Sequence, residues 1–174
     1  MREVLSKAAL IRLAIFDVDG VLTDGRLYFG NGGDEFKAFH IRDGHGLKML
    51  LEAGVEVAVI SGRKAASVER RLSDLGVRLA YLGVSDKRAA LADLQARLGL
   101  GLEQIAFTGD DLIDLPVMVR VGLAIAVRDA DPFVVRHAHW RTSKRGGRGA
   151  AREVCELLLE ARGQLDAARA RYLG

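Results

Sequence analysis

Two aspartates, Asp17 and Asp19, stand directly after an apolar run and directly before a glycine, in Asp17-Val18-Asp19-Gly20-Val21-Leu22-Thr23. Carboxylates at such a point are poor packing residues, because a buried, unpaired carboxylate is costly. If the run is a strand of an open α/β sheet, the pair sits at the carboxyl edge, where such sheets bind ligands. Gly20 allows a sharp turn and a close approach of main chain to ligand. Taken alone, the segment fits equally well a strand that ends in an Asx turn.

Three more segments end apolar runs in the same manner. Ser61-Gly62-Arg63 follows the run 55–60. A hydroxyl and main-chain amides at a helix start suit a phosphate group, although Ser61 also fits an ordinary N-cap. Lys87 opens the helical pattern that follows the run 78–82. A lysine in a first turn opposes the helix dipole, so a phosphate oxygen or a nucleophilic carboxylate is its expected partner; the plain alternative is a surface lysine. Gly109-Asp110-Asp111 follows the run 104–108, with Asp114 shortly after. Carboxylates gathered at one edge repel each other unless a cation neutralises them. Magnesium, which prefers oxygen ligands, is the expected ion. Helix capping accounts for one of these acids but not for all three.

The elements that must position these residues alternate. Strand-like runs at 11–16, 55–60, 78–82, 104–108 and 123–127 are separated by helical patterns at 45–53, 64–75, 86–98 and 112–120, and a long helix is expected over 149–171. Gly54, Gly76 and Gly99 stand just past three of the helices, a common stop. Alternation of this kind builds a parallel sheet from βαβ units. Residues 25–40 break it and read as a β-hairpin around Asn31-Gly32-Gly33, projecting as a flap. The hairpin, one helix and one strand fill the stretch from Asp17 to Ser61, so there is no room for a cap domain.

Composition bounds the function class. A length of 174 residues suits one domain spanning 1–174. With 49% hydrophobic and 28% charged residues the chain is globular rather than disordered. Cys155 is the sole cysteine, which excludes an intrachain disulfide and fits a reducing compartment. No apolar run approaches the roughly 20 residues that span a bilayer, and the first residues lack an apolar leader with a cleavage site. The expected location is the cytoplasm, without a membrane partner. The net charge of +3 is spread among acids, so no nucleic-acid footprint is expected. The basic, glycine-containing stretch Arg141 to Arg152 reads as a mobile loop with solvated charges.

The order Asp-x-Asp-Gly, Ser-Gly-Arg, Lys, Gly-Asp-Asp-x-x-Asp resembles the haloacid dehalogenase superfamily of phosphotransferases. The segments DVDGVLTDG, GDEFKAFHIRDGHGLK, SGRKA, GVSDK, GDDLIDLPVM and GGRGAAREVCELLL narrow the resemblance to the 3-deoxy-D-manno-octulosonate 8-phosphate phosphatases, from about residue 11 to residue 165. Those enzymes act in making a sugar acid of lipopolysaccharide. The resemblance implies a Rossmann-like α/β fold, a parallel sheet flanked by helices with a hairpin flap and no cap.

It implies roles as well. Asp17 would attack phosphorus and become a transient aspartyl-phosphate. Asp19 would be general acid on the leaving oxygen and then base on water. Magnesium would be held by the Asp17 carboxylate, the Asp19 carbonyl and Asp110, with Asp111 and Asp114 supporting from behind. Ser61 and Lys87 would hold phosphoryl oxygens. Substrate contacts would fall to Asp19, His40, Arg42, Asp43, Gly44, Lys48, Arg63, Arg71 and Lys87, with Arg148 reaching in from the Gly146–Gly149 loop; His40 stands where some members have asparagine. A homotetramer is implied, with Leu27, Phe29, Phe36 and Phe39 as candidate contacts or as core. Readings that stay open are a phosphatase for a nine-carbon sugar acid, a phosphomutase, and a non-catalytic binding module.

Overall fold

The computed structural model describes residues 1–173. Its centre is a six-stranded sheet. The strands are β1 (Leu13–Phe16), β4 (Glu56–Ser61), β5 (Leu79–Leu82), β6 (Ile105–Gly109), β7 (Leu123–Ala126) and β8 (Trp140–Arg141), in the order β5-β4-β1-β6-β7-β8. Every neighbouring pair is parallel. β1, β6 and β7 are buried along their whole length. That explains their uninterrupted Leu, Ile, Ala and Phe: a parallel sheet is covered on both faces. One core runs through the molecule, with Phe16, Phe107, Leu13, Ile15, Ile60 and Leu94 among its largest fully buried side chains.

The helices are α1 (Arg2–Ala9), α2 (Ile41–Glu52), α3 (Ala66–Leu75), α4 (Lys87–Leu98), α5 (Leu115–Met118), α6 (Pro132–Arg136), α7 (Ala150–Ala161) and α8 (Leu165–Ala170). α7 packs against α1 and α2, and α4 packs against α5. Gly46 permits the close approach of α2 to α7: a Cβ there would lie 3.1 Å from Arg152 and 3.2 Å from Cys155. Gly76 and Gly99 cap α3 and α4 in the left-handed conformation, as their positions foretell.

The structure corrects several expectations. The helix over 149–171 is two helices, because Gly163 (φ 67°) breaks it between α7 and α8. The helix over 112–120 is a 3₁₀ turn at Leu112–Asp114 followed by the short α5. The stretch 141–152 does not read as a free loop, since Thr142 and Gly146 are buried and α7 begins at Ala150. The flap is smaller than its 25–40 span, with only Tyr28–Phe29 (β2) paired to Glu35–Phe36 (β3). Polar α1, α6 and short β8 went unread.

Strand order brings the motifs together. From central β1 the chain passes to β4 and β5 on one side, then returns to β6 on the other. The carboxyl ends of β4, β1 and β6 therefore lie side by side at the point where the order reverses. Ser61, Asp17 and Asp110 stand at those ends.

Candidate active site

The turn after β1 is held from within. The Asp17 N–H donates to the Thr108 carbonyl at 3.0 Å, which continues the pairing with β6. Thr23 is buried, and its hydroxyl donates to the Val18 carbonyl at 3.2 Å. The same hydroxyl oxygen accepts from the N–H groups of Gly20 and Gly25, at 3.4 and 3.3 Å. Gly20 has φ +87°, and a Cβ there would meet Asp110 Oδ2 at 2.0 Å, so only glycine lets Asp110 come this close.

Three acids converge on this turn. One carboxylate oxygen each from Asp17, Asp110 and Asp114 lies within 4.8 Å of the other two. Lys87 is buried beside them and donates to Asp17 Oδ1 at 2.8 Å and Asp114 Oδ1 at 2.7 Å. Burial works against its charge, but Asp114 and Asp17 outweigh that and raise its pKa. The unusual first-turn lysine is thus repaid by carboxylates. For Asp17, burial and then the charge of Asp114 raise the pKa to about 7, against the pull of Lys87. For Asp110, burial, Asp114 and Asp17 raise it to about 8. Asp114 has both oxygens engaged, since Oδ2 accepts from the Asp110 and Asp111 N–H groups at 2.9 and 3.3 Å. Asp111 is exposed and caps the following turn through the Leu112 N–H at 2.7 Å.

Above these groups lies a cleft of about 230 Å³ lined by Asp17, Asp19, Gly25, Ser61, Gly62, Arg63, Asp110, Asp111 and Ile113. Ser61 is buried at its edge. The Asp19 side chain turns away from the other acids: Oδ1 pairs with Lys37, and Oδ2 lies 3.9 Å from Arg63. Glu35 completes a four-membered cluster, 3.1 Å from Lys37 and 2.6 Å from Arg63. Sequence reasoning missed Glu35 and Lys37. The signal was there, because Glu35-Phe36-Lys37 alternates and so presents two charges on one face of an extended arm.

Of the residues expected to meet substrate, Asp19 and Arg63 line this cleft and Lys87 lies beneath it. The structure does not bring the others there. Asp43 is buried and caps α7, accepting from the Arg152 N–H at 2.8 Å and the Gly149 N–H at 3.1 Å. Gly44 is buried against the Arg71 guanidinium, where a Cβ would meet it at 2.3 Å. Lys48 is exposed on α2. His40 and Arg42 line a separate groove of about 400 Å³ with Arg148, and Arg148 pairs with Asp24 at 3.5 Å.

The glycine-rich loop touches the site through its backbone. Gly147 N–H donates to the Val21 carbonyl at 2.8 Å, and Gly146 N–H to Asp129 Oδ1 at 2.9 Å. A Cβ on Gly146 would sit 1.6 Å from the Gly20 carbonyl oxygen.

Comparison with known proteins bears on this geometry. Residues 83–153 match the family of haloacid dehalogenase-like hydrolases. Over 167 residues the chain is 52% identical to the 3-deoxy-D-manno-octulosonate 8-phosphate phosphatase KdsC of Escherichia coli (strain K12), covering 96% of this chain and 89% of the relative. The chain belongs to this phosphatase family. The phosphatase of the same name from Moraxella catarrhalis, solved with a magnesium ion, a phosphate ion and a KDO molecule, superposes with a TM-score of 0.97. It is 41% identical, over 99% of both chains. The cobalt-bound Haemophilus influenzae phosphatase has a TM-score of 0.92 at 41% identity, over 97% of this chain and 99% of that one.

The donor set fits the magnesium of this family. Three carboxylates crowd one point with a single lysine between them, and hard oxygen ligands suit that ion. Asp114 is saturated by Lys87 and two N–H groups, which leaves Asp17 and Asp110 as the side chains best placed to hold it.

Three outcomes are expected. Both acids have folded pKa values above the ordinary 3.8, so the folded protein binds more protons across about pH 4 to 8. Metal-free stability should therefore fall as pH rises through that window. Magnesium should restore it, most at the alkaline end. Asp110→Asn should raise the metal-free melting point at pH 8, by roughly 2–4 °C for each ~1 kcal/mol of relieved repulsion, and should lose the magnesium response; thermal melts with and without chelator measure both. Gly146→Ala should cost about 1–3 kcal/mol, as overpacking does, and should lower phosphatase kcat by displacing the Gly20 turn. Denaturant titration and steady-state kinetics read these effects.

Proposed function

We propose that this chain is a magnesium-dependent phosphatase that hydrolyses 3-deoxy-D-manno-octulosonate 8-phosphate to the free sugar acid and phosphate. The observation that carries the reading is the buried Asp17 carboxylate, held by Lys87 beside Asp110 at the floor of an open cleft. Kinship with phosphatases of that name supports the substrate.

Asp17 attacks phosphorus, and the bond from phosphorus to the sugar oxygen breaks as an aspartyl-phosphate forms. Asp19 gives the leaving oxygen its proton, then takes one from the water that cleaves the acyl phosphate. A positioned acid–base group of this kind contributes about 10²–10⁴-fold in rate. Ser61 and Lys87 hold the phosphoryl oxygens, and Lys87 also fixes the nucleophile. Magnesium, held by Asp17, Asp110 and the Asp19 carbonyl, supplies positive charge against the phosphoryl group. Asp114 and Asp111 support these ligands from the turn behind.

The cleft lies open, and the assembly closes it. Tyr28 (46% exposed), Phe29 (67%), Phe36 (57%) and Ile41 (82%) form an apolar surface on and beside the flap. This surface suits contact with further copies in a homotetramer. In that arrangement His40, Arg42, Lys48, Arg71 and Arg148, which do not line their own cleft, belong to the wall offered to a neighbour, with buried Asp43 and Gly44 packed behind them, and the arginines there suit the substrate carboxylate. The chain works as one domain in the cytoplasm, on a lipopolysaccharide precursor. None of the helices among the described residues is long and apolar enough to cross a membrane.

Asp17→Asn should abolish magnesium-dependent phosphate release from the octulosonate ester, and retained turnover would exclude Asp17 as nucleophile. Phe29→Glu should shift the sedimenting species from four chains to fewer and reduce kcat/KM. An unchanged mass would place the flap outside the assembly contact.

A further inference from the structure

A lysine with no exposed side-chain area is tied to Asp19 from the flap. Lys37 follows β3, and its ammonium lies between Asp19 and Glu35. Glu35 binds Arg63, which also stands near the second oxygen of Asp19. Burying an ammonium is costly unless carboxylates meet it. Lys37 meets two of them, and one is the carboxylate that handles the proton in the proposed reaction. The flap has only two residues in each strand, and a hairpin so short does not hold itself. Its apolar residues Tyr28, Phe29 and Phe36 are exposed rather than packed on the domain. What joins the flap to the cleft in this chain is the charged cluster.

We propose that Lys37 is a positioning residue for Asp19. It fixes one carboxylate oxygen from the flap side, while Arg63 approaches the other, so that the acid faces the leaving oxygen of a substrate on Asp17. Glu35 holds Lys37 and Arg63 together, so both cations keep a carboxylate partner outside the reacting line. Asp19 has no other side-chain cation near it among the described residues, and the turn that carries it includes φ +87° at Gly20. Orientation errors of about 1 Å cost on the order of 10²-fold in such reactions.

This inference rests on the phosphatase reading, and its test separates the two. A sugar alkoxide leaves only with a proton, whereas p-nitrophenolate leaves without one. Full-length wild type, Lys37→Met and Lys37→Arg are assayed with magnesium on the octulosonate ester, a simple alkyl phosphate and p-nitrophenyl phosphate. Lys37→Met should lower kcat/KM, which reports only the steps through formation of the aspartyl-phosphate, on the alkyl esters by about 10–100-fold, within the range for acid–base groups. Its loss on the aryl ester should be at least about tenfold smaller, and Lys37→Arg should recover most of the alkyl activity. Equal losses on all esters would reduce Lys37 to an anchor of the flap and overturn the proposal. So would a KM effect confined to the carboxylate-bearing ester, which would make Lys37 a substrate contact, or no effect at all. If wild type hydrolyses alkyl and aryl phosphates but not the octulosonate ester, the substrate reading fails and the alkyl–aryl comparison still decides the role of Lys37. If wild type hydrolyses no ester, both readings fall.

Discussion

The structure depends on holding like charges together where buried strands end. Asp17, Asp110 and Asp114 are brought within one ion's reach by strand order and by the turns after β1 and β6, with Lys87 the cation among them. Such a cluster has two ways to lower its energy: it takes up protons, or it takes up a cation. The raised pKa values, about 7 for Asp17 and about 8 for Asp110, are the first way. A divalent ion is the second, and it would return Asp17 to the ionised form that the proposed nucleophile requires. In the proposed reaction metal binding and nucleophile activation are therefore one electrostatic event, and the fold supplies the repulsion that drives it.

That repulsion needs a scaffold that will not relax. Gly20 lets Asp110 approach the turn, and Gly146 and Gly147 lay main chain directly on the same turn. A side chain at Gly20 or Gly146 would push the acids apart and relieve the strain that makes the site useful. The buried Thr23 hydroxyl serves three main-chain groups of the turn at once. Gly20, which sequence reading assigns to the approach of a ligand, therefore also serves close contact between protein segments.

Much of this was legible in the sequence, for reasons that can be named. Apolar runs 11–16, 55–60 and 104–108 mark strands because strands buried on both faces admit few polar residues. Asp17, Ser61 and Asp110 are readable because each follows such a run, and Lys87 because a lysine in a first helical turn opposes the helix dipole. The cap that Asp43 forms on a helix more than 100 positions away leaves no local trace in the sequence. Arg71 lies over Gly44 for the same kind of reason: its partner is set by tertiary packing rather than spacing. The break at Gly163 was readable in principle, yet the alanines and arginines on either side carry high helix propensity and hid it.

The flap joins this electrostatics to the rest of the site. Leaving aside the exposed Asp111, which caps the following turn, five carboxylates (Asp17, Asp19, Glu35, Asp110, Asp114) face three cations (Lys37, Arg63, Lys87) around the cleft. With all of them ionised, the surplus is two negative charges, which a single divalent ion cancels. The surplus is not shared evenly. The flap cluster matches two acids, Asp19 and Glu35, with two cations, Lys37 and Arg63, so the excess of acids falls on the three around Lys87. A cation is therefore drawn to Asp17 and its neighbours rather than to the Asp19 carboxylate, which in the proposed reaction serves the leaving group. Two carboxylates, two positions apart in sequence, thereby stand in opposite electrostatic settings, and the difference is made by a lysine contributed from outside the motif that contains them both.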